Sequence, residues 1–286
     1  MDNVVAFFMP PLHNHTVGLS VKADYYQDII DGHHDIDFFE AHIENFMMGG
    51  HHLRYLKQIR AHYSVSLHGV ALSLGSQTAP TAEALQDRKK IIDIIQPAII
   101  SEHAACTFGD QHFNDLLPIS LNSNTVQRLV RNIDITQSYF KRQILLENLS
   151  SYLAFDDDDM SEADFLNAVA KHSGCGLLLD VNNIYIQEFN LKRSAQHFIN
   201  VINPDYVQQY HVAGGEYNAD YNMIIDTHGT DIPNEVMALY QKTLYKIGAR
   251  PTLYERDNNI PPFTTLCQTA DIIRKSHIPQ ENSSLC

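Results

Sequence analysis

Basic residues are scarce in this chain. Twenty Lys and Arg stand against 34 Asp and Glu over 286 residues, a formal net charge of -14. A sequence-independent grip on a phosphate backbone needs a basic surface, so nucleic acid is not an expected partner. Cysteine is also scarce. The four, at positions 106, 175, 267 and 286, have no paired spacing, so they read as free thiols in a reducing, cytoplasmic setting. No apolar run reaches the roughly 20 residues of a membrane helix. Phe7, Phe8 and Met9 are followed at once by Pro10, Pro11 and His13, which leaves no core for a signal peptide. A Gly-rich dinucleotide fingerprint after the first apolar run is missing too, and no internal repeat or domain boundary is visible.

What is present is a large apolar fraction, 44%, together with 16 histidines and the acid excess. The apolar share excludes a disordered chain. Short apolar runs recur at 17–21, 36–41, 65–70, 99–102, 143–146, 176–181, 207–212 and 251–255. Their near-continuous Leu, Ile and Val content is that of parallel strands buried on both faces. Helical patterns lie between them. One starts at Ser161 with Asp164 three residues on, as in a capping box. Another has Pro233 in its first turn and ends at Gly248. A third, carrying Leu85, Ile91, Ile92 and Ile95, stops before Pro97. Eight strand–helix units point to an α/β fold, a (β/α)8 TIM barrel, with an open doubly wound sheet as the alternative. A single barrel domain is expected over 1–286, with an N-terminal extension at 1–16 and a polar tail at 278–286. The run 156–159 reads as a solvated acidic loop.

One strand after another runs into a histidine or a carboxylate: His68, His103, Glu147, Asp180, His211 and Glu255. In a barrel the C-terminal strand ends converge on one mouth. Three carboxylates held close there cannot all ionise without a cation, and buried unpaired they would each cost several kcal/mol. Divalent ions remove the repulsion, and neutral imidazoles complete their coordination. The pair Asp226 and His228, two apart on an extended segment, points to one side and predicts an additional ion. Strand two adds Glu40, His42 and Glu44 near its end. For Asn148, Asn182 and Asn183 a turn role and a site role are equally open. His13, His15 and the pairs His33-His34 and His51-His52 read as surface residues.

Longer motifs carry a resemblance. The segment 66–75 (SLHGVALSLG), Ser101-Glu102-His103, Leu145-Leu146-Glu147-Asn148, Leu178-Leu179-Asp180-Val181-Asn182-Asn183, Ile225-Asp226-Thr227-His228-Gly229, Phe39-Glu40-Ala41-His42-Ile43-Glu44-Asn45 and the segment 251–257 (PTLYERD) resemble the multinuclear non-heme iron-dependent oxidative enzymes over about residues 17 to 270. Ala71 and Leu149 depart from the usual pattern without removing a proposed ligand. The resemblance implies a xylose-isomerase-like barrel with two or three iron ions (Fe2+/Fe3+). It implies an O2-using oxidase or oxygenase that modifies cysteine in a ribosomally made peptide, as in methanobactin biosynthesis, and a small partner protein that presents the substrate. The layout is also similar, more distantly, to the trinuclear zinc barrel of endonuclease IV. By that pattern His68, His103 and Glu147 hold one ion. Glu147, Asp180, His211 and Glu255 hold a second, with Glu147 bridging. Asn183, Asp226 and His228 hold a third, Asn183 being a neutral amide where the nuclease has histidine. Glu147, Asp180 and Asn182 are the expected catalytic residues. The donor set also suits zinc or manganese. The alternatives are a divalent-metal sugar isomerase or epimerase, a trinuclear zinc phosphodiesterase, and a non-catalytic metal-dependent binding protein in a peptide-maturation complex.

Overall fold

The computed structural model describes residues 12–32, 34–108 and 112–277. The expectations for 1–11, His33, Cys286 and the tail at 278–286 lie outside them. In chain order the strands are β1 (Val17–Ser20), β2 (Phe38–His42), β3 (Ser64–Gly69), β4 (Ile100–His103), β5 (Cys106–Phe108), β6 (His112–Leu117), β7 (Leu145–Glu147), β8 (Gly176–Asp180), β9 (Val207–Val212), β10 (Glu216–Asn218), β11 (Met223–Ile225) and β12 (Thr252–Tyr254). Strands β1, β2, β3, β4, β7, β8, β9 and β12 close into a barrel in that order, every neighbouring pair parallel. Each falls on one of the apolar runs read from the sequence. Outward side chains such as Val65, Leu67, Leu146, Leu177, Leu179 and Tyr210 bury against the helices as one core. That leaves the alternate residues to face the barrel axis.

The helices are α1 (Tyr26–Asp31), α2 (Gly50–His62), α3 (Ala82–Ile95), α4 (Ser123–Phe140), α5 (Glu162–Ser173), α6 (Val181–Leu191), α7 (Ala195–Val201), α8 (Asn234–Ile247) and α9 (Phe263–Ser276). Their starts are written in side chains. Thr81, Asn122, Ser161, Asp180 and Ser194 each accept a hydrogen bond from the backbone N–H three residues on, which satisfies one of the orphan donors of a first turn. Helix α3 ends where expected, with Gln96 left-handed at φ 50° ahead of Pro97. Pro233 caps α8 from outside rather than entering its first turn. The loop at 156–159 is more than a solvated charge run. Asp158 accepts the backbone N–H groups of Leu121 and Phe155, at 2.7 and 3.2 Å, and so ties two loops together.

Two hairpins were not foreseen. Strands β5 and β6 follow β4, and β10 and β11 follow β9. Both are inserted after the C-terminal ends of barrel strands, at the mouth. Among the described residues, no helix is long and apolar enough to cross a membrane.

Candidate metal centre

Strand register sets the mouth. His42 lies beside His68, His103 beside Glu147, and Asp180 beside His211. All lie at the C-terminal ends of their strands, so their side chains meet at the mouth. His68 Nε2 and His103 Nε2 lie 3.2 and 3.4 Å from Glu147 Oε2. The opposite ring nitrogens are held from behind. His103 Nδ1 donates to the Gly69 carbonyl at 3.2 Å, and His68 Nδ1 bonds Ser101 Oγ at 2.7 Å. Such partners fix each ring and leave its Nε2 lone pair for the centre.

Glu147 turns its other oxygen to a second group. His211 Nδ1 sits 3.3 Å from Glu147 Oε1 and 3.0 Å from Glu255 Oε2. Asp180 completes the group, and candidate ligand atoms of Glu147, Asp180, His211 and Glu255 lie within 4.8 Å of one another. The same holds for His68, His103 and Glu147. Glu147 belongs to both sets. It is 1% exposed, and Asp180 and His211 are fully buried.

The residues expected at a third ion are arranged less simply. Asp226 Oδ1 takes a hydrogen bond from Asn182 Nδ2 at 2.9 Å and lies 2.8 Å from His228 Nε2. Its Oδ2 takes one from Ser150 Oγ, also at 2.9 Å. Asn183 donates its amide to the Asn148 carbonyl at 3.0 Å. Its Oδ1 is buried without a partner. A third cluster of potential ligands is instead His42, Glu255 and Asp257, with Asp257 also ion-paired to Lys22. Sequence reasoning did not single out Asp257, Ser150 or Tyr152, whose hydroxyl accepts the Asp226 N–H at 2.8 Å. For Asp257 a signal was available: it stands two residues past Glu255, the same spacing that linked Asp226 to His228. His51 and His52 are exposed on α2, as surface residues should be.

The donors suit a cation. Buried and without a hydrogen-bond partner are Glu147 Oε2, Asp180 Oδ2, Asn183 Oδ1, His211 Nδ1 and His228 Nε2. Stranded polar atoms are rare in folded proteins, and a set converging on one place suits a cation site. The electrostatics agree. Burial raises the Asp180 carboxyl well above its ordinary value, with Glu147 and Asp226 adding to the rise. Burial lowers His211, but Glu40, Glu147 and Glu255 outweigh it and hold the imidazole well above its usual range. His228 is raised in the same way by Asp226 and Glu255 against burial. His68 is pushed well down by burial and by its histidine neighbours. Each of these shifts arises from carboxylates and imidazoles crowded at one buried place, where a divalent ion would compete with protons for the same donors. The mixed nitrogen and oxygen set accommodates iron, zinc or manganese. Above it opens a cavity of about 240 Å³, walled in part by Val70, Leu116, Leu149 and Tyr152.

Known proteins resemble this chain in sequence or in fold. A family model described as "RiPP precursor modification enzyme MbnB/TglH/ChrH" matches residues 16–277. A UPF0276 protein of Psychromonas ingrahamii is 40% identical over 258 residues, covering 88% of this chain and 91% of that protein. A UPF0276 protein of Chromobacterium violaceum is 37% identical over 250 residues, covering 87% and 90%. Among solved structures, D-psicose 3-epimerase from Clostridium cellulolyticum H10 with D-tagatose aligns at TM-score 0.58 and 13% identity, over 92% of this chain and 98% of that one. A xylose isomerase-like TIM barrel protein from Mycobacterium smegmatis in complex with magnesium aligns at TM-score 0.56 and 12% identity, over 94% and 98%. At such identities the likeness establishes the fold, a xylose-isomerase-like TIM barrel, and nothing of the chemistry.

Proposed function

Because this chain belongs to the RiPP precursor modification enzyme family MbnB/TglH/ChrH, we propose that it is a multinuclear iron enzyme that uses O2 to oxidise a cysteine in a ribosomally made peptide. A small partner protein presents that peptide. The observation that carries the reading is Glu147, whose two oxygens each face a separate group of buried ligand atoms.

In this reading His68, His103 and Glu147 would hold one ion. Glu147, Asp180, His211 and Glu255 would hold a second. Asn183, Asp226 and His228 would hold a third. Iron bound there supplies the redox chemistry and the Lewis acidity that turns a substrate thiol into a thiolate. The protein does the rest. Asp180 keeps Oδ1 on the Asn183 backbone N–H at 2.8 Å and so aims Oδ2 at the centre. Asn182 and Ser150 hold Asp226 in place. Val70, Leu116, Leu149 and Tyr152 form a cavity wall that shields the cysteine from bulk water. The acid excess at the mouth is offset by the ions, so a neutral or weakly acidic peptide can enter.

The test is anaerobic loading with ferrous iron, followed by O2 and a cysteine-containing precursor peptide with its partner protein, read by peptide mass. A mass change that requires iron and oxygen supports the proposal. An unchanged mass across precursor peptides encoded beside this protein, in an iron-loaded sample, sinks it. Oxygen-independent turnover of a sugar with manganese alone would favour the isomerase or epimerase reading instead.

A further inference from the structure

Below the mouth the barrel holds an ionisable group that the centre itself does not use. Glu40, on β2, is 2% exposed. Its Oε2 accepts hydrogen bonds from Ser66 Oγ at 2.8 Å and Gln209 Nε2 at 2.7 Å. Its Oε1 makes no hydrogen bond and lies 2.9 Å from His211 Nε2. The contact is short but bent. On the far side of the same ring, Nδ1 faces Glu147 and Glu255.

A neutral imidazole carries one N–H, and an ionised carboxylate can only accept. Against Glu40 the proton therefore belongs on Nε2, and the lone pair on Nδ1. The Gln209 amide nitrogen, which donates to Glu40 at 2.7 Å, is the more distant neighbour of Nε2 at 3.4 Å. The other two imidazoles have weaker supports, a carbonyl behind His103 and a hydroxyl behind His68. Among these three, His211 alone is backed by a carboxylate. A carboxylate behind a ligating histidine fixes its tautomer and raises its basicity. For shape and hydrogen bonds alone a glutamine would serve here, without burying a charge.

We infer that Glu40 is a positioning residue that makes Nδ1 of His211 the ligating nitrogen and tightens the ion held by Glu147, Asp180, His211 and Glu255. The inference rests on the metal reading above, and the experiment separates the two. Metal-stripped wild type and Glu40→Gln are titrated with cobalt against a competing chelator, and thermal unfolding is followed in parallel. Wild type labelled with 15N-histidine is examined by NMR as its zinc form, with His211 assigned through its own substitution. The expected results are a protonated Nε2 on a metal-bound His211, a loss of about 10- to 100-fold in affinity at one site of Glu40→Gln, and a second site within about twofold of wild type. A merely structural Glu40 would lower the unfolding temperature and leave the affinities alone, which overturns the inference. Ligation of His211 through Nε2 overturns it as well, and that reading needs no variant to fold. If wild type binds neither cobalt nor zinc, the metal reading itself falls and takes the inference with it. If wild type binds and Glu40→Gln binds equally, only the role of Glu40 falls.

Discussion

Two groups of buried or half-buried carboxylates sit in this barrel, and the chain treats them differently. On the outer side of β3 and β4, Glu44 and Glu102 flank Arg88 of α3, whose Nη2 lies 2.7 Å from Glu44 Oε1 and whose Nε lies 3.5 Å from Glu102 Oε1. Glu44 also accepts the backbone N–H groups of Val70 and Ala71 at 3.2 and 3.1 Å. Here the chain provides its own cation. Burial still pushes Glu102 up to about 8, with Arg88 opposing the rise. On the inner side Glu147, Asp180 and Glu255 meet imidazoles, and among the described residues the ion pairs of these carboxylates include no Lys or Arg. Neighbouring residues on one strand, Glu102 and His103, face the two environments. Where a buried charge serves the fold it is neutralised from within. Where it is left to imidazoles, the arrangement suits a cation from outside.

The largest test of that contrast is Glu147→Ala. This residue belongs to both inner sets, so its loss should strip both ions and lower turnover of the peptide by several kcal/mol, on the order of 10³-fold. Metal analysis and peptide mass report the two effects separately, and retention of two ions would break the comparison. Next is Arg88→Met. It leaves Glu44 and Glu102 buried without their cation, a loss of about 3–5 kcal/mol in urea unfolding. Metal content per folded chain should not change. The contrast sharpens in metal-free protein, where Glu147→Gln relieves repulsion and should raise the unfolding temperature while Arg88→Met lowers it. Smaller again is the effect of the ion on the wild type. Metal at a hundred times its Kd should add about 2.7 kcal/mol of stability, reversed by chelator and absent in Glu147→Ala.

The barrel was legible because buried parallel strands are nearly unbroken apolar runs. All eight barrel strands fall on such runs. The positions of His68, His103, Glu147, Asp180, His211 and Glu255 were legible because each interrupts a run at its end. Hairpins β5–β6 and β10–β11 were not, since they are short and half polar and borrow their order from the mouth they cover. Helix α6 was hidden by economy: Asp180 ends β8 and caps α6 at once, so a turn role and a site role stayed equally open for Asn182 and Asn183, although both lie in the first helical turn. Glu40 and Asp257 were visible as residues, but their contacts to His211, His42 and His228 depend on the side-chain packing across the mouth, which no local pattern encodes.

A carboxylate outside both groups gives the smallest effect. Glu162, at the start of α5, accepts from Gln187 Nε2 at 2.7 Å. Burial lifts its carboxyl to about 7 from an ordinary 4.5, with Gln187 and Arg193 opposing the rise. Among the described residues no ion pair joins it to an arginine as one joins Glu44 to Arg88, and it has no place in the metal centre. The folded protein thus holds this proton over a range where the unfolded chain has released it. Its contribution to stability is fully present below about pH 4.5 and is lost as the pH rises through about 7. Glu162→Gln removes the titration while keeping the acceptor for Gln187. Against wild type, the variant should be more stable at pH 8, by about 1 kcal/mol or somewhat more, and the gain should shrink toward pH 5. Urea unfolding of both proteins across that range, with chelator present to silence the mouth, isolates the difference. A constant difference at all pH values would mean that Glu162 ionises freely, and that burial alone does not separate a neutralised carboxylate from an unneutralised one in this fold.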